Sequence, residues 1–170
     1  TIALTQDPQD NETFNRYLQW AKNGGDLIIL NTLNTGQFAQ YLSISTTGTL
    51  KANEITRNQL IQSIPQITVQ SLNTIDSNNQ LTASYTQNGQ FVSALTIQKS
   101  MGTGKITYIN AAPYYNALQN ADINTKQQLF SNLTLLSQSL NLSLCNQDSL
   151  PFIYMSSYPC FFGNTTLTRK

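Results

Sequence analysis

Gly24-Gly25-Asp26-Leu27-Ile28-Ile29-Leu30-Asn31 decides how the chain is read. Four consecutive large apolar residues between a glycine pair and an asparagine read as a short strand buried on both faces, the pattern of a parallel sheet. Upstream, Phe14, Tyr17, Leu18 and Ala21 fall at i, i+3, i+4 and i+7, so residues 11–22 are predicted to form an amphipathic helix on that sheet. Asp10 or Asn11 is placed to cap its start and Gly24 its end, where glycine takes the left-handed conformation at little cost. Helix, glycine stop and buried strand make half of an α/β unit. In such a unit the loop 32–36, at the carboxyl end of the strand, is where a ligand is expected.

The same character returns at Gly102-Thr103-Gly104, a glycine turn that enters the apolar run Lys105–Asn110. Pro113-Tyr114-Tyr115 follows with a short helical turn, and Asp122 or Asn124 caps a helix running to about Leu140. Between the two pieces the chain is rich in Thr, Ser and Gln and alternates with period two: Ile67 and Val69, then Leu81, Ala83 and Tyr85, then Phe91, Ser93, Leu95 and Ile97. Asp76–Asn79 supplies one turn and Asn88-Gly89 a type I′ hairpin turn, giving an antiparallel meander. Residues 51–64 fit either a helix lined by Ile55, Leu60, Ile61 and Ile64 or two short strands ended by Pro65.

Charged residues make up 10% of the 170 residues, against roughly 25% in an average soluble protein. Polarity comes instead from 19 Asn, 18 Gln, 15 Ser and 21 Thr, and there is no histidine. Such a surface gains little charge in acid and escapes much of the self-repulsion that drives acid unfolding, which fits extracellular life. A net charge of +1, with no basic run beyond Arg169-Lys170, gives no electrostatic footprint for nucleic acid. No apolar run approaches the roughly 18 to 20 residues of a membrane span. The chain opens directly on a strand-like Thr1-Ile2-Ala3-Leu4 and stops soon after an aromatic-rich segment, the expectation being a piece of a longer secreted chain.

Cys145 and Cys160 enclose 14 residues. In an oxidising compartment a disulfide closing that loop contributes about 3 kcal/mol; the alternative is two buried free thiols. The absence of histidine removes Ser-His-Asp, Cys-His and histidine-ligated metal sites unless a partner supplies the residue. Eight carboxylates remain, Asp7, Asp10, Glu12, Asp26, Glu54, Asp76, Asp122 and Asp148. A glycosidase needs two of them about 5 to 10 Å apart across one bond; caps and turns are their simpler roles. Neither glycine turn has the spacing of a phosphate-binding loop, and both precede strands instead of following them. Glycosylation sequons stand at Asn11, Asn132, Asn141 and Asn164, no more than this composition produces by chance, with Asn141 and Asn164 best placed.

The helix carrying Tyr17–Trp20, the stretch Asn23–Asn31 and the later Gly102-x-Gly104-Lys105-Ile106-x-Tyr108-Ile109-Asn110 with Pro113-Tyr114-Tyr115 resemble segments of large archaeal extracellular glycoproteins. Over residues 11–45 and 99–140 they are also similar to the glutamine-amidotransferase-like α/β architecture. The resemblance implies a secreted or surface-layer glycoprotein with a flavodoxin-like sheet. The enzymes of that group use a cysteine on a glycine-flanked elbow with a histidine base, and this chain has neither, so the resemblance carries no enzymatic activity.

The expected fold class is therefore α/β. A flavodoxin- or amidotransferase-like partial sheet (1–44 and 101–141) carries an antiparallel β insertion (45–100) and an extended, disulfide-bearing C-terminal segment (142–170). The expected role is non-enzymatic, without metal or cofactor: a structural or interaction domain of an archaeal-type surface assembly such as an S-layer, pilus or thread. Its partners are other domains of one precursor or copies of itself. Tyr114, Tyr115, Phe152, Tyr154 and Tyr158 are the candidate contact residues. The alternatives are a carbohydrate-binding or adhesion module using Tyr114, Tyr115 and the 32–36 loop to hold glycans, and a degenerate or partner-completed hydrolase.

Overall fold

A computed structural model describes residues 1–4, 6–30, 36–110, 112–125, 127–128, 142–147, 150–155, 161–162 and 165–166. The chain divides into two compact units, Thr1–Ala117 and Leu118–Lys170.

The first unit contains β1 (Ile2–Leu4), α1 (Asn11–Lys22), β2 (Asp26–Ile29), α2 (Gln37–Tyr41), β3 (Ile44–Arg57), β4 (Leu60–Thr74), β5 (Asn79–Gln87), β6 (Gln90–Met101) and β7 (Gly104–Ile109). All seven strands join one sheet in the order β1-β2-β7-β6-β5-β3-β4. Only β1–β2 and β2–β7 pair in parallel; β7–β6, β6–β5, β5–β3 and β3–β4 are antiparallel. A flavodoxin-like α/β sheet is therefore the wrong class, and the fold is a mixed, mostly antiparallel sheet. The reason lies at Gly102-Thr103-Gly104. A turn this short can join two strands only as an antiparallel hairpin, since a parallel crossover needs a dozen or more residues. Met101 pairs with Gly104 across it, so the alternating segment continues the sheet instead of interrupting it. Residues 51–57 and 60–64 are strand, joined by a turn at Asn58 and Gln59, whose φ of 47° and 67° suit type I′.

Helix α1 forms where its periodicity predicts. The Asp10 carboxylate accepts from Thr13 N–H at 2.7 Å, and Gly24, at φ 101°, follows its last turn. Leu18 and Ala21 are buried, and Phe14, Tyr17 and Trp20 pack beside them against a core of Leu27, Ile29, Phe38, Leu42, Leu72, Ala94, Ile97, Met101, Ile106 and Tyr108. Leu72 places β4, the last strand of the sheet order, in the core that α1 covers.

Two glycine turns meet at the amino end of β2 and β7. Asn23 bridges Gly102, Lys105 N–H donates to the Gly25 carbonyl at 3.1 Å, and Thr103 N–H donates to that of Lys22 at 3.4 Å. The backbones approach so closely that a Cβ on Gly104 would enter the Ala21 and Gly25 carbonyl oxygens, and one on Gly25 would enter the Trp20 indole.

The second unit holds β8 (Leu142–Gln147), β9 (Leu150–Met155), β10 (Phe161–Phe162) and β11 (Thr165–Thr166). They form a separate antiparallel sheet in the order β11-β10-β9-β8. The expected extended tail is thus corrected as well, because its strands pair with one another. Cys145 lies on β8 opposite Phe152; Cys160, and with it the disulfide, falls outside the described residues.

Candidate functional site

At the carboxyl ends of β1, β2 and β7, where a ligand was expected, residues 31–35 lie outside the described residues. On the described side, Gln37 donates to the Pro8 carbonyl at 3.0 Å. Tyr108 is fully buried, and burial, followed by the nearby Asp7 charge, pushes its phenol above the ordinary range. Asn110 follows β7 and turns inward. Its side-chain nitrogen donates to the Ala94 carbonyl at 3.3 Å and the Ser93 hydroxyl at 3.4 Å, and its carbonyl accepts from the Tyr85 hydroxyl at 2.9 Å. Ser93 in turn donates to the Gln70 carbonyl at 2.9 Å and accepts from Leu72 N–H at 3.0 Å. This buried network ties β4 and β5 to β6 and β7, and sequence periodicity gave no sign of it beyond a serine among apolar residues.

The remaining described carboxylates hold turns and strands. Asp10 caps α1, Glu12 pairs with Arg16 one turn on, and Asp26 stands 4.0 Å from Lys105 at half-exposed positions. Glu54 accepts from Gly89 N–H at 2.8 Å and the Thr86 hydroxyl at 3.1 Å. Asp122 accepts from Asn124 and Thr125 N–H, as a cap does. Among the described residues no group of three or more Cys, Asp and Glu is arranged to hold a metal ion.

A charged cluster joins Asp76, in the β4–β5 turn, to Lys99 on β6. Their charged atoms lie 2.8 Å apart, with both side chains about four-fifths buried. The Lys99 ammonium sits 4.9 Å from the Tyr41 ring centroid, and the Tyr41 hydroxyl donates to the Met101 sulfur at 3.2 Å. The hydrogen bond from Lys99, then that from Asn78 N–H, lowers the Asp76 carboxyl from 3.8 to about 2. A carboxyl lowered in the folded state adds stability that is present above its unfolded pKa and lost as pH falls through the folded one. Thermal stability should accordingly decline as pH drops from about 4 towards 2, and Asp76→Asn should flatten that decline while leaving Asp10 and Asp122, lowered by their capping bonds, as the residual acid dependence. Melting temperatures of both proteins across that range check this.

Of the residues singled out by sequence, Asn11 is exposed at the first position of α1. Tyr114 and Tyr115 lie on α3 (Ala112–Asn120), and Phe152 and Tyr154 on β9. Tyr158, Asn132, Asn141, Asn164 and Asp148 fall outside the described residues. No helix among the described residues is long and apolar enough to cross a membrane.

Fold and site define a β-rich domain on a mixed seven-stranded sheet whose described polar clusters tie strands and turns together. No protein-family model matches the chain, and neither does any curated protein. Among solved structures it is similar to a β-galactosidase from Bacillus circulans sp. alkalophilus (12% identity, 89% of this chain and 25% of that one, TM-score 0.43). It is also similar to an exo-β-1,4-mannosidase from Opitutaceae bacterium strain TAV5 (13% identity, 79% and 25%, TM-score 0.46). A third is a cytoplasmic protein of Salmonella typhimurium LT2 (13% identity, 76% and 64%, TM-score 0.43). The chain spans about a quarter of the length of the two glycosidases. No activity follows for this chain from likenesses of that order.

Proposed function

We propose that the chain is a non-enzymatic structural or interaction domain of an extracellular, archaeal-type surface glycoprotein or filament assembly, packing against further domains of its precursor or against copies of itself. The observation that carries this is the β3–β4 hairpin. Strand β4 stands at the end of the sheet order, no charged residue occurs from Asn58 to Ile75, and Leu60 and Ile61 at its tip are 77% and 58% exposed. The Gln70–Leu72 part of β4 is already held to β6 through Ser93 and Val92, so it is the uncharged tip of the hairpin, with its exposed apolar residues, that forms a surface another domain can cover. The neutral Asn, Gln, Ser and Thr surface and the exposed Asn11 sequon agree with an extracellular setting. Glycopeptide mapping of protein from its native source tests the compartment: glycan on Asn11 or another sequon is expected, and four unmodified sequons would count against it.

A further inference from the structure

The chain contains two Asn-Gly dipeptides, Asn23-Gly24 and Asn88-Gly89. Asparagine before glycine is prone to one intramolecular reaction, in which the glycine nitrogen attacks the side-chain amide carbon, because glycine has no side chain to obstruct the approach. The fold treats the two differently. Gly24 N–H is held by the neutral Ala21 carbonyl at 3.1 Å, and the Asn23 side-chain oxygen accepts from Gln19 at 3.2 Å. The turn is also wedged against the second glycine turn, with the Cβ position of Gly24 only 3.2 Å from the Thr103 hydroxyl.

Asn88 and Gly89 are exposed at the tip of β5–β6, at φ 51° and 76°, with nothing within 4 Å of the Gly89 Cβ position. Here the glycine N–H points at a charged acceptor, the Glu54 carboxylate at 2.8 Å, itself held by the Thr86 hydroxyl at 3.1 Å. A carboxylate at that distance is within reach of the proton that must leave.

We propose that Asn88 is a self-modifying site, converting to aspartate and isoaspartate with Glu54 as the base, while the fold preserves Asn23. The Gly89 nitrogen bonds to Asn88 Cγ as its proton passes to Glu54. The amide C–N bond of the side chain then breaks, its nitrogen takes up that proton and leaves as ammonia, and a cyclic imide remains. Water opens the imide at either carbonyl and leaves aspartate or isoaspartate at position 88. No oxidant or cofactor enters. The isoaspartate product adds a methylene to the backbone of a two-residue turn, which the Gln87–Gln90 pairing cannot accommodate unchanged, and either product adds a negative charge to the exposed turn.

The test is peptide mass mapping of the full chain after incubation at mildly alkaline pH, folded and in denaturant. In the folded protein the Asn88 peptide should convert several-fold faster than the Asn23 peptide, and in denaturant the two should convert at similar rates. Glu54→Gln, which keeps an acceptor for Gly89 N–H but removes the base, should slow Asn88 several-fold in the folded protein alone. Equal folded-state rates at Asn23 and Asn88 would overturn the selectivity. An unchanged or faster Asn88 rate in Glu54→Gln would overturn the role of Glu54.

Discussion

Replacing Gly104 by alanine is expected to destabilise the first unit by about 3 kcal/mol or more, the upper end of what overpacking costs. The added Cβ meets backbone on every side, the carbonyl oxygens of Ala21 and Gly25 and the carbonyl carbon of Gly24, so no side-chain rotation relieves it. Relief requires α1 or β2 to move away from β7, which disturbs the parallel pairs Asp26–Lys105 and Leu27–Ile106. Trp20, the single tryptophan, lies against Gly25, so its fluorescence in a urea titration follows this junction. Gly48→Ala is the control: nothing lies within 4 Å of its Cβ position, and stability should stay within about 1 kcal/mol of the parent or rise slightly. Equal midpoints for the two variants would show that the glycine turns do not interlock.

Truncating Leu72 to alanine should cost about 2–5 kcal/mol, the range for a buried leucine whose cavity the surroundings fill only partly. Leu72 is fully buried, in the same core cluster as Leu18 and Phe38 beneath α1 and α2, and its N–H is held by the Ser93 hydroxyl. Loosening it removes packing from the helical face, although it belongs to the last strand of the sheet order. The loss should appear as one transition, shifted equally by Trp20 fluorescence and by far-ultraviolet circular dichroism. An unshifted Trp20 transition with early loss of strand signal would mean that β3 and β4 fold as an independent insertion.

Local structure was legible where one residue type has one physical use. The 3.6-residue spacing from Phe14 to Ala21 placed α1, the glycine after Lys22 and Asn23 ended it, and Asn88-Gly89 marked a hairpin. The architecture was misread because Leu27–Ile29, buried on both faces, implies parallel neighbours and does have them in β1 and β7, but says nothing of what lies beyond β7. The decisive signal was the shortness of the turn between Met101 and Lys105, which makes β6 and β7 a hairpin. Residues 51–64 were ambiguous because Asn58-Gln59 lacks the glycine that usually marks a type I′ turn and because a register shift between Ala52 and Glu54 disturbs the alternation. The polar clusters were not legible at all: Lys99 meets Asp76 across 23 residues and Glu54 meets the Gly89 N–H across 35, separations over which no local pattern connects the partners.

Electron microscopy of native-source material bearing this chain tests the proposed role most directly. An extended lattice or filament with the chain as a repeating component is the expected result; dispersed, monodisperse monomers carrying no glycan would rule that role out.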